Sequence, residues 1–397
     1  MTEKKPLIYF SLVEWDFLWS RPQQIISRLA ENRKVLYVEV HGVRNLAKSF
    51  QFPRDLFRIL RKIYIWIRSL ITGARRVEGQ LWVINPIIIP TISLQALSAV
   101  NNWLLFITIR YWMRKLSLLN PVLLFTIPRP ELLALIGRLN ESQVCYDCMD
   151  DYSDFPASHE SLNEWETQLL SKADLVTVSS KPLQEKKAKH HSRVILIPNG
   201  VEFDHFHRAW SSHLAEPSEL RSISHPRIIY IGVINEWFDT DIFRHCVDEH
   251  PHWNFLLIGI DVIGLARKEN KSNVFFFGRK PYQELPDYLA HSDVCIIPFK
   301  ITPLTIATNP IKMYEYLAAG KPVVSTPLPE VVQYSDIISI GSTAVEFEAR
   351  IEAALPAASQ SEIDHRLNFA RQHSWDARSR DMENALEGDV RDVSVES

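Results

Sequence analysis

Lys312 and Glu315 stand three residues apart in the stretch NPIKMYEYLAAGKPVVST, residues 309–326. The pattern predicts a helix that starts here: Thr308 or Asn309 can cap it, and Pro310 suits its first position. The opening turn of a helix has unpaired backbone N–H groups that attract anions, and Lys312 adds a full positive charge beside them. Glu315 shares the face of Lys312. A carboxylate there can accept both hydroxyl hydrogen bonds of a ribose diol. The ligand this combination implies is a nucleoside diphosphate, with phosphates on Lys312 and the helix start at Asn309, Pro310 and Ile311, and ribose on Glu315. Ala318, Ala319 and Gly320 are small and permit close backbone packing. A plain surface Lys–Glu pair on an otherwise buried helix has the same spacing, so the pair alone does not decide.

Other groups in the first half can do chemistry. Asp147, Asp150, Asp151 and Asp154 cluster just past a strand-like run. Carboxylates so close suit metal binding or general-base work, with Asp150 or Asp151 orienting a hydroxyl; capping of the next helix is the alternative. Cys145 and Cys148 form a CxxC, but no second pair completes a zinc site, so they read as buried structural thiols. His190, His191, His205 and His207 lack metal-ligand spacing. No metal is expected.

The elements that must position these groups alternate between two periods. Strand-like runs fall at 7–12, 34–40, 81–86, 121–127, 143–148, 174–179 and 194–199, then at 227–233, 254–259, 273–278, 293–299, 322–326 and 336–340. Helical spacing lies between several of them; Ile25, Ile26 and Leu29 share one face after Pro22. Such alternation predicts α/β architecture with parallel sheets, and 397 residues are too many for one core. The expected organisation is a first domain over 1–206, a polar, turn-rich linker over 207–226 and a second domain over 227–370. An amphipathic helix and frayed tail over 371–397 are expected to pack back on the first domain. Two doubly wound domains facing each other make a cleft at their strand ends.

Bulk properties narrow the partners. The net charge of −3 offers no basic excess for nucleic acid. Four cysteines fit a reducing compartment. The N-terminal apolar run meets Glu14 and Asp16 too soon for a signal peptide. A cytoplasmic protein is expected, on the inner face of the membrane. The stretch 53–76 carries seven basic residues against Asp55, interleaved with an apolar stripe and Trp66. That is the pattern of an interfacial helix, although snorkelling arginines on a packed helix give the same pattern. A second apolar stretch, 100–119, is interrupted at Arg110.

In combination, EYLAAGKPVVST (315–326), PNGVEFDHF (198–206), FFFGRKPYQELPDYLAHSDVCIIPF (275–299) and HSWDARSRDMENAL (373–386) carry a resemblance. The chain resembles the nucleotide-sugar-dependent glycosyltransferases of the GT-B fold, of the large, mostly retaining type that builds bacterial surface polysaccharides and glycolipids. FSLVEWDFLWSRPQQIISRLA (10–30) and YDCMDDYSDFP (146–156) resemble a sub-group of it. The resemblance spans nearly the whole chain. It implies two Rossmann-like domains, the second holding a nucleoside-diphosphate sugar, and transfer to a lipid-linked glycan or polysaccharide precursor with retention. No cofactor beyond the donor is implied. Gly232 would let its backbone approach the donor, Asn199 would border the cleft, and Arg279 and Tyr282 would flank the base. Arg21 would reach the donor phosphates, with Glu14, Trp15 and Asp16 on the acceptor side; a surface arginine and a core tryptophan are the plainer readings.

Two departures stand out. Such enzymes usually carry a second glutamate eight residues before the one matched by Glu315; here that position is Ala307. Thr308, Asn309 and Lys312 would have to replace it. The lysine usual after the Gly232 turn is also missing, which leaves Arg279, Lys280 and Lys312 for the diphosphate. A sugar-nucleotide epimerase and a non-catalytic scaffold are the rival readings. A dehydrogenase is disfavoured, because no G-x-G-x-x-G follows the first strand.

Overall fold

Strands buried on both faces read as unbroken apolar runs, and all of the predicted runs become strands. The computed structural model describes residues 4–17, 19–40, 73–88, 95–152 and 161–388. They form two units. One comprises the described parts of 1–179, 183–197 and 379–397; the other comprises 180–182 and 198–378.

The first unit holds an eight-stranded sheet. Its strands are β1 (Leu7–Ser11), β2 (Val35–Glu39), β3 (Arg75–Arg76), β4 (Leu81–Ile84), β5 (Val122–Phe125), β6 (Gln143–Cys148), β7 (Leu175–Val178) and β8 (Val194–Leu196). The order is β3-β4-β2-β1-β5-β6-β7-β8, parallel except for the edge strand β3. Every residue of β1 and β2 is buried. Phe10 stacks on Phe125 and Tyr9 on Tyr37 across these strands. The last helix, Trp375–Glu387, ends in this unit, where Glu383 accepts from Lys4 at 2.9 Å and from Arg33.

The second unit holds β9 (Arg227–Ile231), β10 (Asn254–Ile258), β11 (Val274–Gly278), β12 (Val294–Ile297), β13 (Val323–Ser325) and β14 (Ser339–Ile340). The order is β11-β10-β9-β12-β13-β14, all parallel. The chain reverses direction across the sheet between β9 and β12. In open α/β sheets, that switch point at the carboxyl ends is where ligands bind.

Two glycines shape this edge. Ile231 pairs with Ile258, so β9 and β10 end together and Gly232 and Gly259 follow side by side. The Gly232 N–H donates to the Ile258 carbonyl at 2.8 Å. A Cβ built on Gly259 would sit 1.9 Å from the Gly232 oxygen, and φ is +146° there. Only glycine fits such an approach.

The structure corrects the expected linker. Residues 207–226 are not a linker. The helix Phe203–Ser211 runs through the expected boundary, and Leu220 and Ile223 are buried in the core of the second unit. The Arg227 side chain fixes this segment by donating to the Leu220 and Ile223 carbonyls at 2.8 and 2.9 Å. The polar composition hid these two anchors, and the division falls at 197/198 instead. The edge strand β3 was not foreseen, since two exposed arginines carry no strand signal. The basic stretch 53–76 lies outside the described residues except for its end, where Arg75 and Arg76 are strand, not helix. Among the described residues no helix is long and apolar enough to cross a membrane.

The close approach of the two glycines makes a stability prediction. Gly259→Ala should destabilise the chain by about 2 kcal/mol or more. Gly264, at φ +71° with nothing within 4 Å, isolates the backbone term, and Gly264→Ala should cost only about 1 kcal/mol. Thermal midpoints of the two variants separate the clash from the strain.

Candidate active site

Lys312 reaches the switch point from the helix Ile311–Ala318. That helix buries Met313, Tyr314, Tyr316 and Leu317, and turns Lys312 and Glu315 to the opposite, partly exposed face. Tyr316 anchors it to the sheet, its hydroxyl accepting from the Ile231 N–H at 2.8 Å. The Lys312 side chain then lies over Gly232: a Cβ there would be 3.0 Å from Lys312 Cε. Its Nζ is 4.5 Å from the ring centre of Phe299, just after β12, and 5.3 Å from that of Tyr230 in β9. Glycine at 232 leaves that space to the lysine, and φ of +154° disfavours any other residue there.

The charges at this point are poised. Among the described residues, neither the Lys312 ammonium nor the Glu315 carboxylate has a hydrogen bond or an ion pair within 4.0 Å. Burial pulls Lys312 down to about 8, with the nearby Glu315 charge opposing. Burial pushes Glu315 up to about 7, with Lys312 opposing. The two aromatic faces offset part of the cost of holding the ammonium there, about 2 kcal/mol for a desolvated cation–π contact. An anion brought to Lys312 meets a cation with no carboxylate to displace. A cavity of about 350 Å³ is lined by Glu236, Phe238, Ile263, Leu265, Lys268 and Lys300 among others, from the segments that follow β9, β10 and β12.

The helix start differs from expectation. Pro310 is the N-cap and Ile311 the first helical residue, with no side chain capping them. Asn309 is instead buried and occupied. Its Oδ1 accepts from the Asn199 N–H at 3.1 Å, and its Nδ2 donates to Glu330 at 2.7 Å and to Tyr314 Oη at 3.2 Å. Asn199 Nδ2 in turn donates to the Asn309 carbonyl at 2.7 Å. These two amides lock segments of the second unit together, so their side chains are not donor contacts. The Thr308 hydroxyl turns back to the Leu304 carbonyl at 2.9 Å. Ala307 is buried at the end of the short helix Pro303–Ile306, its carbonyl accepting from the Ser180 hydroxyl at 2.7 Å.

The cations offered for the diphosphate separate clearly. Lys280 pairs with Glu219 at 2.7 Å. Arg279 is exposed beyond β11, the outer strand of the sheet. Tyr282 stacks on His205 at 4.6 Å and packs edge-on to Phe206, against the helix Phe203–Ser211. Of the predicted donor residues, Lys312, Glu315, Gly232 and Ile311 come together at the switch point. Gly259, Tyr230 and Phe299 belong with them and were missed; the glycine after the apolar run NFLLI was the available signal.

In the first unit, the predicted site is largely structural. Arg21 is buried and forks onto Asp147, Nη2 to Oδ1 at 2.9 Å and Nε to Oδ2 at 3.2 Å, while Nη1 donates to the Ile197 carbonyl at 2.8 Å. Thr177 adds a third bond to Asp147 at 2.8 Å. A buried arginine is held this way because an unpaired charge would be far more costly, so Arg21 is a clamp, not a phosphate ligand. Trp15 is a core residue, 4% exposed, packed edge-on to Tyr37 and Trp19. Its backbone N–H donates to Glu39 Oε1 at 2.8 Å. Asp16 pairs with Arg75 at 2.8 Å, and the Glu14 carbonyl accepts from Gln23 at 3.0 Å. Asp151 is buried against Lys186. Asp150 differs: it is half-buried, and burial pushes its carboxyl up to about 7, with Arg21 opposing. Asp154 lies outside the described residues. The four cysteines are buried and free. Among the described residues no cluster of His, Cys, Asp and Glu could hold a metal ion.

Residues 225–357 match the family profile described as Glycosyl transferases group 1. A curated relative from Bacillus subtilis (strain 168), which carries the name teichuronic acid biosynthesis glycosyltransferase TuaH, is 30% identical over 271 residues. That match takes in 60% of this chain and 66% of the relative, just under two thirds of its length. The sucrose-phosphate synthase of Thermosynechococcus elongatus superposes with a TM-score of 0.68 at 15% identity, covering 97% of this chain and 99% of the other. Anabaena HepE, solved in complex with UDP and glucose, gives 0.64 at 12% identity, over 96% and 99%.

The two poised groups predict a pH optimum for polyphosphate binding. Lys312 binds as a cation, so affinity falls as pH rises past about 8. Glu315 accepts hydroxyl bonds as a carboxylate, so affinity falls as pH drops below about 7. Titration of UDP by calorimetry between pH 6 and 9.5 (roughly the span of both groups) should show a maximum between these values. Lys312→Met should remove the alkaline limb, and Glu315→Gln the acidic one.

Proposed function

We propose that this chain, which has the GT-B fold and whose residues 225–357 are a glycosyl transferases group 1 domain, transfers a sugar from a nucleoside diphosphate to a hydroxyl of a lipid-linked glycan or surface-polysaccharide precursor. The observation that carries the reading is the Lys312 ammonium, held at the switch point without a carboxylate in contact and one turn before Glu315. In this reading the diphosphate leaves against Lys312 and the N–H groups of Ile311 and Lys312, and Glu315 holds the ribose. Preorganised positive charge at a leaving group supplies the main part of the acceleration. No metal is required for that step. Asp150, with its raised carboxyl pKa, is the candidate for orienting the acceptor hydroxyl. Retention is proposed from the family resemblance. The acceptor class draws support from the name of the Bacillus relative.

Ala307 favours one other reading. A buried methyl stands where a glutamate is usual, which fits a protein that binds the nucleotide sugar without turning it over. The deciding experiment is transfer of labelled sugar from a panel of nucleotide sugars to bacterial lipid extract. Label should appear in the lipid fraction. Lys312→Ala should lower kcat about 10²-fold. Glu315→Ala should act mainly on KM, because a ribose contact is made equally in the ground and transition states. Tight nucleotide binding with no transfer across the panel would favour the non-catalytic reading.

A further inference from the structure

The helix Gln95–Leu116 in the first unit presents an unusual outer face. Its inner side is ordinary: Asn101, Leu105 and Ile109 are buried at four-residue spacing. On the opposite side Val100, Trp103, Ile107 and Tyr111 are all exposed, Trp103 by 58% and Tyr111 by 56%. They recur at three- and four-residue steps and so form one stripe along three turns. Arg110, Arg114 and Lys115 are exposed around the C-terminal part of the stripe, with Arg110 beside Tyr111 and the other two just beyond it. The helix contains no Asp or Glu. Among the described residues, none of these three cations has a carboxylate within 4.0 Å.

We infer that this face seats on an anionic lipid bilayer. Aromatic rings and aliphatic side chains enter the acyl boundary, and the basic cluster meets the phosphate headgroups. A second copy of the chain is a poorer occupant. Packing this face on itself would desolvate three cations that meet no carboxylate among the described residues, or set them on a partner's apolar turns, with no acid on the helix to receive them. A bilayer lets the long basic side chains extend to the headgroup level while the stripe is covered. In this inference the helix lies along the surface; no described helix is long and apolar enough to cross a membrane. The inference does not rest on the glycosyl-transfer reading.

The test is flotation of the full-length chain with phosphatidylcholine vesicles, with and without phosphatidylglycerol. Wild type should float with the anionic vesicles and not with the neutral ones. The triple variant Arg110→Gln, Arg114→Gln, Lys115→Gln should bind about 10²-fold more weakly. Trp103→Ser with Tyr111→Ser should lose binding about ten-fold, because the apolar contact is cut while the charge stays. Thermal midpoints equal to wild type show that both variants are folded. The inference is overturned if wild type stays with the pellet, or if folded variants float as well as wild type, which would put the lipid contact elsewhere. It is overturned equally if wild type is a dimer by light scattering and the Trp103 and Tyr111 variant is a monomer.

Discussion

Lys312 carries its charge where burial works against it. Its ammonium rests on the rings of Phe299 and Tyr230, at the point where the sheet of the second unit reverses its order. Much of the local sequence follows from that position. Gly232 is held at φ +154° beneath the lysine, and Gly259 must be glycine because the Gly232 carbonyl closes on it. The helix that delivers the lysine buries two tyrosines and leaves Lys312 and Glu315 partly exposed. A cation without an acid in contact, on the first turn of an uncapped helix, is the arrangement on which the proposed anion binding rests.

The rest of the polar interior is arranged to hold the sheets rather than to meet a ligand. Arg21 and Asp147 close on each other across 126 residues of sequence. Asn309 and Asn199 do so across 110, with Glu330 drawn into the same cluster. Burial pushes the Glu330 carboxyl up, while the Lys181 N–H and Asn309 oppose it. Each group is expensive to bury alone and inexpensive once paired, so such clusters fix how segments meet. They explain why polar residues near the strand ends are poor guides to the site here.

The fold was legible for a simple reason. Parallel strands buried on both sides are short apolar runs, and each run in LIYFSL, KVLYVEV or RIIYIGV has only one comfortable place. Lys312 and Glu315 were legible because their relation is local: three residues on one helix. Partners remote in sequence were not. Nothing near Arg21 announces Asp147, although an aspartate inside the strand QVCYDC signals that some cation must reach it. Trp15 follows the same pattern: a loop aromatic by sequence, it is fixed in the core by Tyr37 and by the Glu39 carboxylate. The linker was misplaced because Leu220 and Ile223 are two apolar residues in a polar stretch.

The account turns on a division of labour at one helix face, with Lys312 on phosphate and Glu315 on ribose. Calorimetry on Lys312→Met and Glu315→Gln, using the best-bound nucleoside diphosphate, its parent nucleoside and its 2′,3′-dideoxy form, addresses it most directly. The account predicts that Lys312→Met weakens the diphosphate by about 10²-fold and leaves the nucleoside unchanged. It predicts that Glu315→Gln weakens the ribonucleotide but not the dideoxy form. Equal affinities of wild type and both variants for all three ligands would contradict it.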